Sequence, residues 1–283
     1  MIQRSKTQTV IVYSSAIILG LILLCPVLWL FIMSVSSTKD LTTLPLQWTP
    51  EDISFENYIN LIGDVDSTSA ESFLYALRNS LIVALSATFL SLCAAIPAAY
   101  SLSRLPGKRR KSLLFIAIAT FMMPPVALVL PLYSAMASFG LLNTHVALIA
   151  IYCGILVPFT TWLLKSNFDA IPIDLDEAPL IDGANRLQII WHITLPVAKP
   201  ALGAAALMAV LMAWDEFFYA LLFTNDVRAK TLPVTIADFA AGRVADYGLI
   251  SAAGILATIP PVSMAYFLQK SLVSGLMSGS VKG

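Results

Sequence analysis

The sequence predicts an all-α membrane protein with six transmembrane helices, and three observations predict it. The first is composition. Of 283 side chains, 58% are hydrophobic and 12% charged, at a mean hydropathy of +0.81, which is more apolar surface than a water-soluble core of this length requires. The second is a set of uncharged runs long enough to cross a bilayer, whose hydrocarbon core of about 30 Å takes about 20 helical residues. The third is charge placement. Lys and Arg number 17, as do Asp and Glu, so the net charge gives no signal for nucleic acid, whereas the positions of the cations carry information.

From the N-terminus, residues 1–9 form a short polar segment, and Thr7 to Thr38 carries no charge. Its centre, residues 10–35, is the first predicted helix, too long for the apolar region of a signal peptide and without a small-residue cleavage site. Residues 36–76 form a loop between it and the other five helices, which occupy 77–269. Ser80 to Leu102, bracketed by Arg78 and Arg104, is the second span. Ser112 to Leu164 is long enough for the third and fourth, with a break near Gly140 to Asn143. Pro200 to Phe223, interrupted by Asp215 and Glu216, is the fifth, Tyr247 to Gln269 the sixth, and 270–283 a tail.

Pro124, Pro125 and Pro131 in the third span and Pro260 and Pro261 in the sixth have two readings. They mark kinked or broken helices lining a cavity, or they reflect the ordinary frequency of proline in membrane helices, which is the favoured reading. Cys25, Cys93 and Cys153 lie in apolar runs without CxxC spacing and read as buried thiols.

Retained cations mark the cytoplasmic side. One set of alternate loops and ends holds 12 of them, Arg104, Lys108 to Lys111, Lys165, Arg186 and Lys199 included, and the other holds 5. Both termini are therefore expected in the cytoplasm. The outer loops then fall at about 36–79, 137–143 and 224–246, the first with seven carboxylates. The basic run Arg104 to Lys111 reads as a solvated inner loop, with contact to anionic lipid as the lesser alternative.

The inner segment 165–199 is regularly punctuated. Asp174 or Asp176 can cap a helix, with Glu177 at capping-box distance from Asp174. Asp182-Gly183 forms a turn in which glycine supplies positive φ. Leu187, Ile190, Trp191 and Thr194 then follow helical spacing until Pro196 ends the segment. Two short helices meeting at a glycine corner, with an apolar stripe, are costly to leave in water and imply docking.

At this point Glu177-Ala178, Asp182-Gly183-Ala184 and Leu195-Pro196 resemble, at matching spacing, the EAA loop of bacterial ATP-binding-cassette importer permeases. The likeness runs from about Asn79 to Gly283, and Ser274 to Gly283 is similar to the tail of maltose-type sugar permeases. The resemblance implies a type I ABC importer permease fold with a cytoplasmic coupling helix. The chain would be the permease subunit of an ATP-driven, binding-protein-dependent importer of a sugar or sugar-like solute in the bacterial inner membrane. Glu177, Ala178, Asp182, Gly183, Ala184, Leu195 and Pro196 would form the ATPase-coupling loop, and Gly279, Val281, Lys282 and Gly283 would reach the ATPase from the tail. Implied partners are a second homologous permease subunit, two ATPase subunits, an extracytoplasmic solute-binding protein and membrane lipid. Pro179 stands where the family usually has Ala, which predicts that the coupling helix begins close to Asp176.

No phosphate loop is present, since Gly107-Lys108 lacks the upstream glycine and Arg109 follows. ATP and its magnesium would thus sit on the partner ATPase, and this chain would bind no cofactor and be no enzyme. Trp214, Asp215, Glu216 and Tyr219 in the fifth span are candidates for the translocation path. One reading has them lining a pore or gate that meets a hydroxylated solute, with Trp214 and Tyr219 as stacking surfaces. The other has them in helix packing or in hydrogen bonds to a partner subunit. His145 and His192 have no companion at metal-ligand spacing. The rival reading, an ion-coupled secondary transporter, needs an ion site and usually an internal repeat, and neither is visible. An intramembrane enzyme needs a nucleophile with a base or a metal cluster, and no such constellation occurs.

Overall fold

The computed structural model describes residues 6–42, 48–63, 67–104, 109–241 and 246–277, and among them every regular element is a helix. The proposed tail contacts Gly279, Val281, Lys282 and Gly283 lie outside the described residues. The chain divides into two units, residues 1–74 with 235–259 and residues 75–234 with 260–283.

In the first unit, α1 (Lys6–Ser34) is apolar around its whole circumference, and its most hydrophobic 18-residue window is 0% buried. Such a helix suits a lipid environment. Two short helices, α2 (Thr38–Thr42) and α3 (Glu56–Tyr58, continued by a π-helical turn Ile59–Gly63), follow it. They fold back on the end of α1. The Ser34 and Tyr58 hydroxyls are 2.7 Å apart, Asn57 Nδ2 donates to the Ser34 carbonyl at 3.0 Å, and Trp48 packs 5.2 Å from Trp29.

The second unit carries most of α4 (Thr68–Arg104), then α5 (Arg109–Phe121), α6 (Pro125–Ser138), α7 (His145–Phe168), α8 (Asp174–Ile181), α9 (Arg186–Ile189), α10 (Leu195–Val197), α11 (Lys199–Trp214) and α12 (Phe218–Phe223). The remaining helices are α13 (Leu232–Ala240) and α14 (Tyr247–Met277). Small residues set the packing. Ala84, Ala87, Ser91, Ala95 and Ala99 form one buried face of α4, and Ala201, Ala204, Ala205, Ala209 and Ala213 are buried on α11, which lets helix backbones approach closely without a long side chain between them. The alanine-rich α11 packs on α7, as do α5 and α12.

Four helices, α1, α4, α7 and α14, are long and apolar enough to cross a membrane, and two bent pairs raise the count to as many as six. The third predicted span is one of these pairs: α5 and α6 meet at 87°. Pro124 is extended at φ −61°, ψ 126°, and two successive prolines each push the preceding residue out of the helical region. The break therefore belongs to Pro124-Pro125. Pro131 lies inside α6 and Pro260-Pro261 inside an unbroken α14, where the favoured bland reading applies.

The turn expected near Gly140 is present. Gly140 (φ +66°) donates to the Ala137 carbonyl at 3.0 Å and Leu141 to that of Met136 at 2.9 Å, the paired bonds that close a helix through a left-handed residue. The thiols correct the expectation of burial. Cys25 and Cys93 are exposed and Cys153 half-buried, because in a membrane helix an apolar residue is equally stable facing outward.

Candidate functional site

The segment between α7 and α11 folds as two short helices around a glycine corner. Pro172 presets the first turn, the N–H groups of Asp176 and Glu177 bond to the Ile173 carbonyl at 2.9 and 3.2 Å, and α8 begins at Asp174. This corrects the expected start near Asp176. The helix tolerates Pro179 as its sixth residue, so the proline does not dictate where the helix starts. The Asp174–Glu177 capping box is likewise absent, since the residue at the cap position is Ile173, already helical at φ −66°. The box forms instead at the second helix. Asn185 Oδ1 accepts from Gln188 N at 2.9 Å, and Gln188 Oε1 accepts from Asn185 N at 2.8 Å.

The corner is a Schellman closure. Gly183, at φ +88°, donates to the Leu180 carbonyl at 3.2 Å, and Ala184 donates to that of Pro179 at 2.9 Å. A β-carbon on Gly183 would meet nothing within 4 Å, so the backbone angle requires glycine there and crowding does not. Downstream, Pro196 does not end the helical run as expected. A π-helical turn, Ile190–Thr194, precedes it, and the wider turn moves backbone away from the proline ring, which would clash in a regular helix. The run continues through α10, and the chain bends by 84° between Val197 and Lys199.

One side of this loop docks on its own chain. Ile171, Ile189, Ile190 and Ala198 join Ala95, Ala99 and Tyr100 of α4 and Leu164 and Phe168 of α7 in a buried cluster, with Leu180 and Leu195 packed against it. The other side is open: Glu177, Ala178, Asp182 and Gly183 are exposed and Ile181 is 87% exposed. A cavity of about 390 Å³ opens beside the corner, lined by Asp182, Gly183, Ala184, Gln188, Ile189, His192 and Ile193. The predicted coupling residues Asp182, Gly183 and Ala184 thus meet at one groove. Glu177 and Ala178 stand on the neighbouring α8, and Leu195 and Pro196 lie beyond the π-helical turn.

Charge fixes the loop in place. Arg104 Nε lies 2.7 Å from Asp176 Oδ2, with 4% and 3% of the two side chains exposed, and Arg104 Nη2 donates to the Ile171 carbonyl at 2.9 Å. Nε is not aligned for a hydrogen bond, so charge holds the pair, and the Tyr100 hydroxyl also lies within reach of the Asp176 carboxylate. Arg104 stands in the last turn of α4 and Asp176 in the first turn of α8, so each also compensates the helix-end dipole on its own side. Ser103 donates to Asp169 Oδ1 at 2.8 Å, Lys165 pairs with the same carboxylate, and Arg186 Nη1 reaches the Tyr100 hydroxyl at 3.5 Å. Sequence reasoning missed this anchor. Arg104, expected in a solvated inner loop, is instead buried in the last turn of α4, and nothing in spacing joins it to a residue 72 positions away.

In the fifth span, α11 stops at Trp214 and α12 starts at Phe218. Glu216 caps the new helix, its two carboxylate oxygens accepting from Tyr219 N at 2.9 Å and Ala220 N at 3.2 Å. Trp214 and Tyr219 are buried at 5% and 3% exposure, whereas Asp215 and Phe217 are exposed. Tyr152, Met212 and Glu216 help line a small cavity of about 150 Å³ beside the break.

A second clasp lies at Asn79 and Ser80, inside α4 and well removed from Arg104. Asn79 Nδ2 donates to the carbonyls of Arg228 and Lys230 at 2.8 and 2.9 Å, and its Oδ1 lies 2.8 Å from His145 Nε2. Ser80 Oγ accepts from Leu232 N at 2.8 Å. Asn143, at φ 59°, accepts from Asn225 N at 2.6 Å and Asp226 N at 3.0 Å. His192, by contrast, bonds only locally, Nδ1 lying 3.0 Å from the Gln188 carbonyl. No group of His, Cys, Asp and Glu among the described residues could hold a metal ion.

Residues 91–277 match the family described as binding-protein-dependent transport system inner membrane component. The chain is 36% identical over 278 residues to the trehalose/maltose transport system permease protein MalG of Thermococcus litoralis, covering 98% of each chain. It is 34% identical over 260 residues to the sulfoquinovosyl glycerol transport system permease protein SmoH of Agrobacterium fabrum, covering 92% of this chain and 89% of that one. Its fold is similar to a chain in the crystal structure of a bacterial ABC transporter involved in the import of the acidic polysaccharide alginate, with a TM-score of 0.74 at 24% identity, covering 95% and 99% of the two chains.

Proposed function

The chain belongs to the family of binding-protein-dependent transport system inner membrane components, and from that premise we propose that it is the permease subunit of an ATP-driven importer of a sugar or sugar-like solute. The observation that carries the reading is the loop between α7 and α11: a groove at the Gly183 corner, open on one side and anchored by a buried ion pair on the other. An exposed apolar residue such as Ile181 beside exposed Glu177 and Asp182 suits a cleft on another protein.

In this reading two ATPase subunits, which bind ATP and magnesium, take the corner of this chain and that of a homologous permease partner. ATP-driven closure of the ATPase pair draws the two corners together and switches the helix bundle between inward and outward access. An extracytoplasmic binding protein delivers solute at the opposite face, and both termini of this chain lie in the cytoplasm. The tail residues Gly279, Val281, Lys282 and Gly283 add a second ATPase contact. Support for the solute class comes from the trehalose and maltose named for the 36% identical relative. Asp215 is the side chain proposed for the path or the partner interface, because an exposed carboxylate at membrane depth requires water or a polar partner.

The test is hydrolysis by the purified complex, comparing wild type with Gly183→Asp and Glu177→Lys at equal assembly. Loss of solute-stimulated hydrolysis with the complex intact supports the reading. Full stimulation in both variants sinks it.

A further inference from the structure

Besides α7, which leads into α8 and is preceded by Asn143 with its bonds to Asn225 and Asp226, two routes join the coupling loop to the segment 224–232. The covalent route runs through the 84° bend at Ala198 and the three-residue break between Trp214 and Phe218. The other route is α4. Asn79 and Arg104, 25 positions apart, lie on one continuous helix, so the two clasps stand about 37 Å apart along its axis. Pro97 removes one N–H from the hydrogen-bond ladder of α4 without ending the helix.

At each of these two points the helix is fixed to a loop by buried groups. At one, the Arg104–Asp176 pair and the bond from Arg104 to Ile171 grip the coupling loop. At the other, Asn79 holds two carbonyls of the segment and Ser80 one N–H, with Asn79 2% and Ser80 3% exposed. A displacement of α8 therefore reaches residues 228–232 through tight contacts and one helix, while the covalent path absorbs it at its bends.

We infer that α4 is the strut through which the coupling loop and the segment 224–232 sense one another, with Arg104, Asp176 and Asn79 as its positioning residues. The inference rests on the proposed ATPase contact at the Gly183 corner. Such coupling needs an element whose state both sites bias, and a helix clasped at two separated points meets that requirement.

The experiment is hydrogen exchange on the complete complex in lipid nanodiscs, with and without ATP and magnesium, read separately over residues 171–198 and 224–232. In the wild type both segments respond, the second by at least about fivefold in exchange rate. In Arg104→Ala and in Asn79→Ala the response of 171–198 persists while that of 224–232 falls below about twofold. Arg104→Lys, which keeps the charge, restores part of it. Should Arg104→Ala fail to assemble, Asn79→Ala and Ser80→Ala decide the matter alone. A response of 224–232 that survives these substitutions, or that is absent from a wild type whose coupling loop does respond, overturns the strut. No response of 171–198 in the wild type overturns the ATPase contact itself.

Discussion

The two ends of the Asn79–Arg104 stretch of α4 hold their loops by unlike chemistry. At Arg104 the contact is a buried ion pair. At Asn79 it is neutral amide and hydroxyl groups, hydrogen-bonded to backbone. A buried charge pair contributes little over an apolar substitute but is severely damaged when one member is lost, whereas neutral hydrogen bonds fail by smaller steps. The first end is thus an all-or-none joint and the second a graded one.

Substitutions can break or sharpen this contrast. Arg104→Ala strands Asp176 and should cost about 3–5 kcal/mol, seen as a large fall in the melting temperature of the purified complex. The double change Arg104→Met with Asp176→Leu should recover most of the loss, and a single variant as stable as wild type would remove the ion pair from the account. Asn79→Ala frees the carbonyls of Arg228 and Lys230 and should cost about 1–3 kcal/mol, with faster amide exchange at Leu232 as the local sign. Gly183→Ala forces a β-carbon into left-handed geometry at about 1–2 kcal/mol. Because nothing crowds that position, the loss should appear as weaker protection of the Ala184 amide, and an unchanged amide would argue that the corner does not depend on its backbone angle. Asn185→Ala should remove about 1 kcal/mol of capping, and Asn185→Asp should keep most of it; equal melting of the two would show the box to be idle.

What the sequence revealed was local. Uncharged runs marked the four long apolar helices, although α4 begins at Thr68, inside the loop expected at 36–76, and Asp182-Gly183 gave the corner because glycine alone takes φ +88° without strain. The capping box at Asn185 and Gln188 was legible by the same rule that was applied to Asp174 and Glu177, and went unread. The helical run past Pro196 was hidden because a π-helical turn has no spacing signature that distinguishes it from an ordinary helix. Glu216 read as an expensive charge, yet its partners are N–H groups three and four residues ahead. Arg104 and Asp176 were out of reach for a different reason: packing brings them together, and single-chain spacing carries no record of it.

The cap on α12 bears on how the protein is made. An uncompensated acidic group at the centre of a span costs roughly 2.5–3.5 kcal/mol at insertion. Glu216 finds its partners within four residues, so it can leave the ribosome and enter the bilayer with its compensation attached. Asp215 is exposed and has no such bond among the described residues, so its compensation has to come from outside its own helix. Two adjacent carboxylates thus differ in the source of their compensation, one met by its own chain within a single turn and the other dependent on its surroundings.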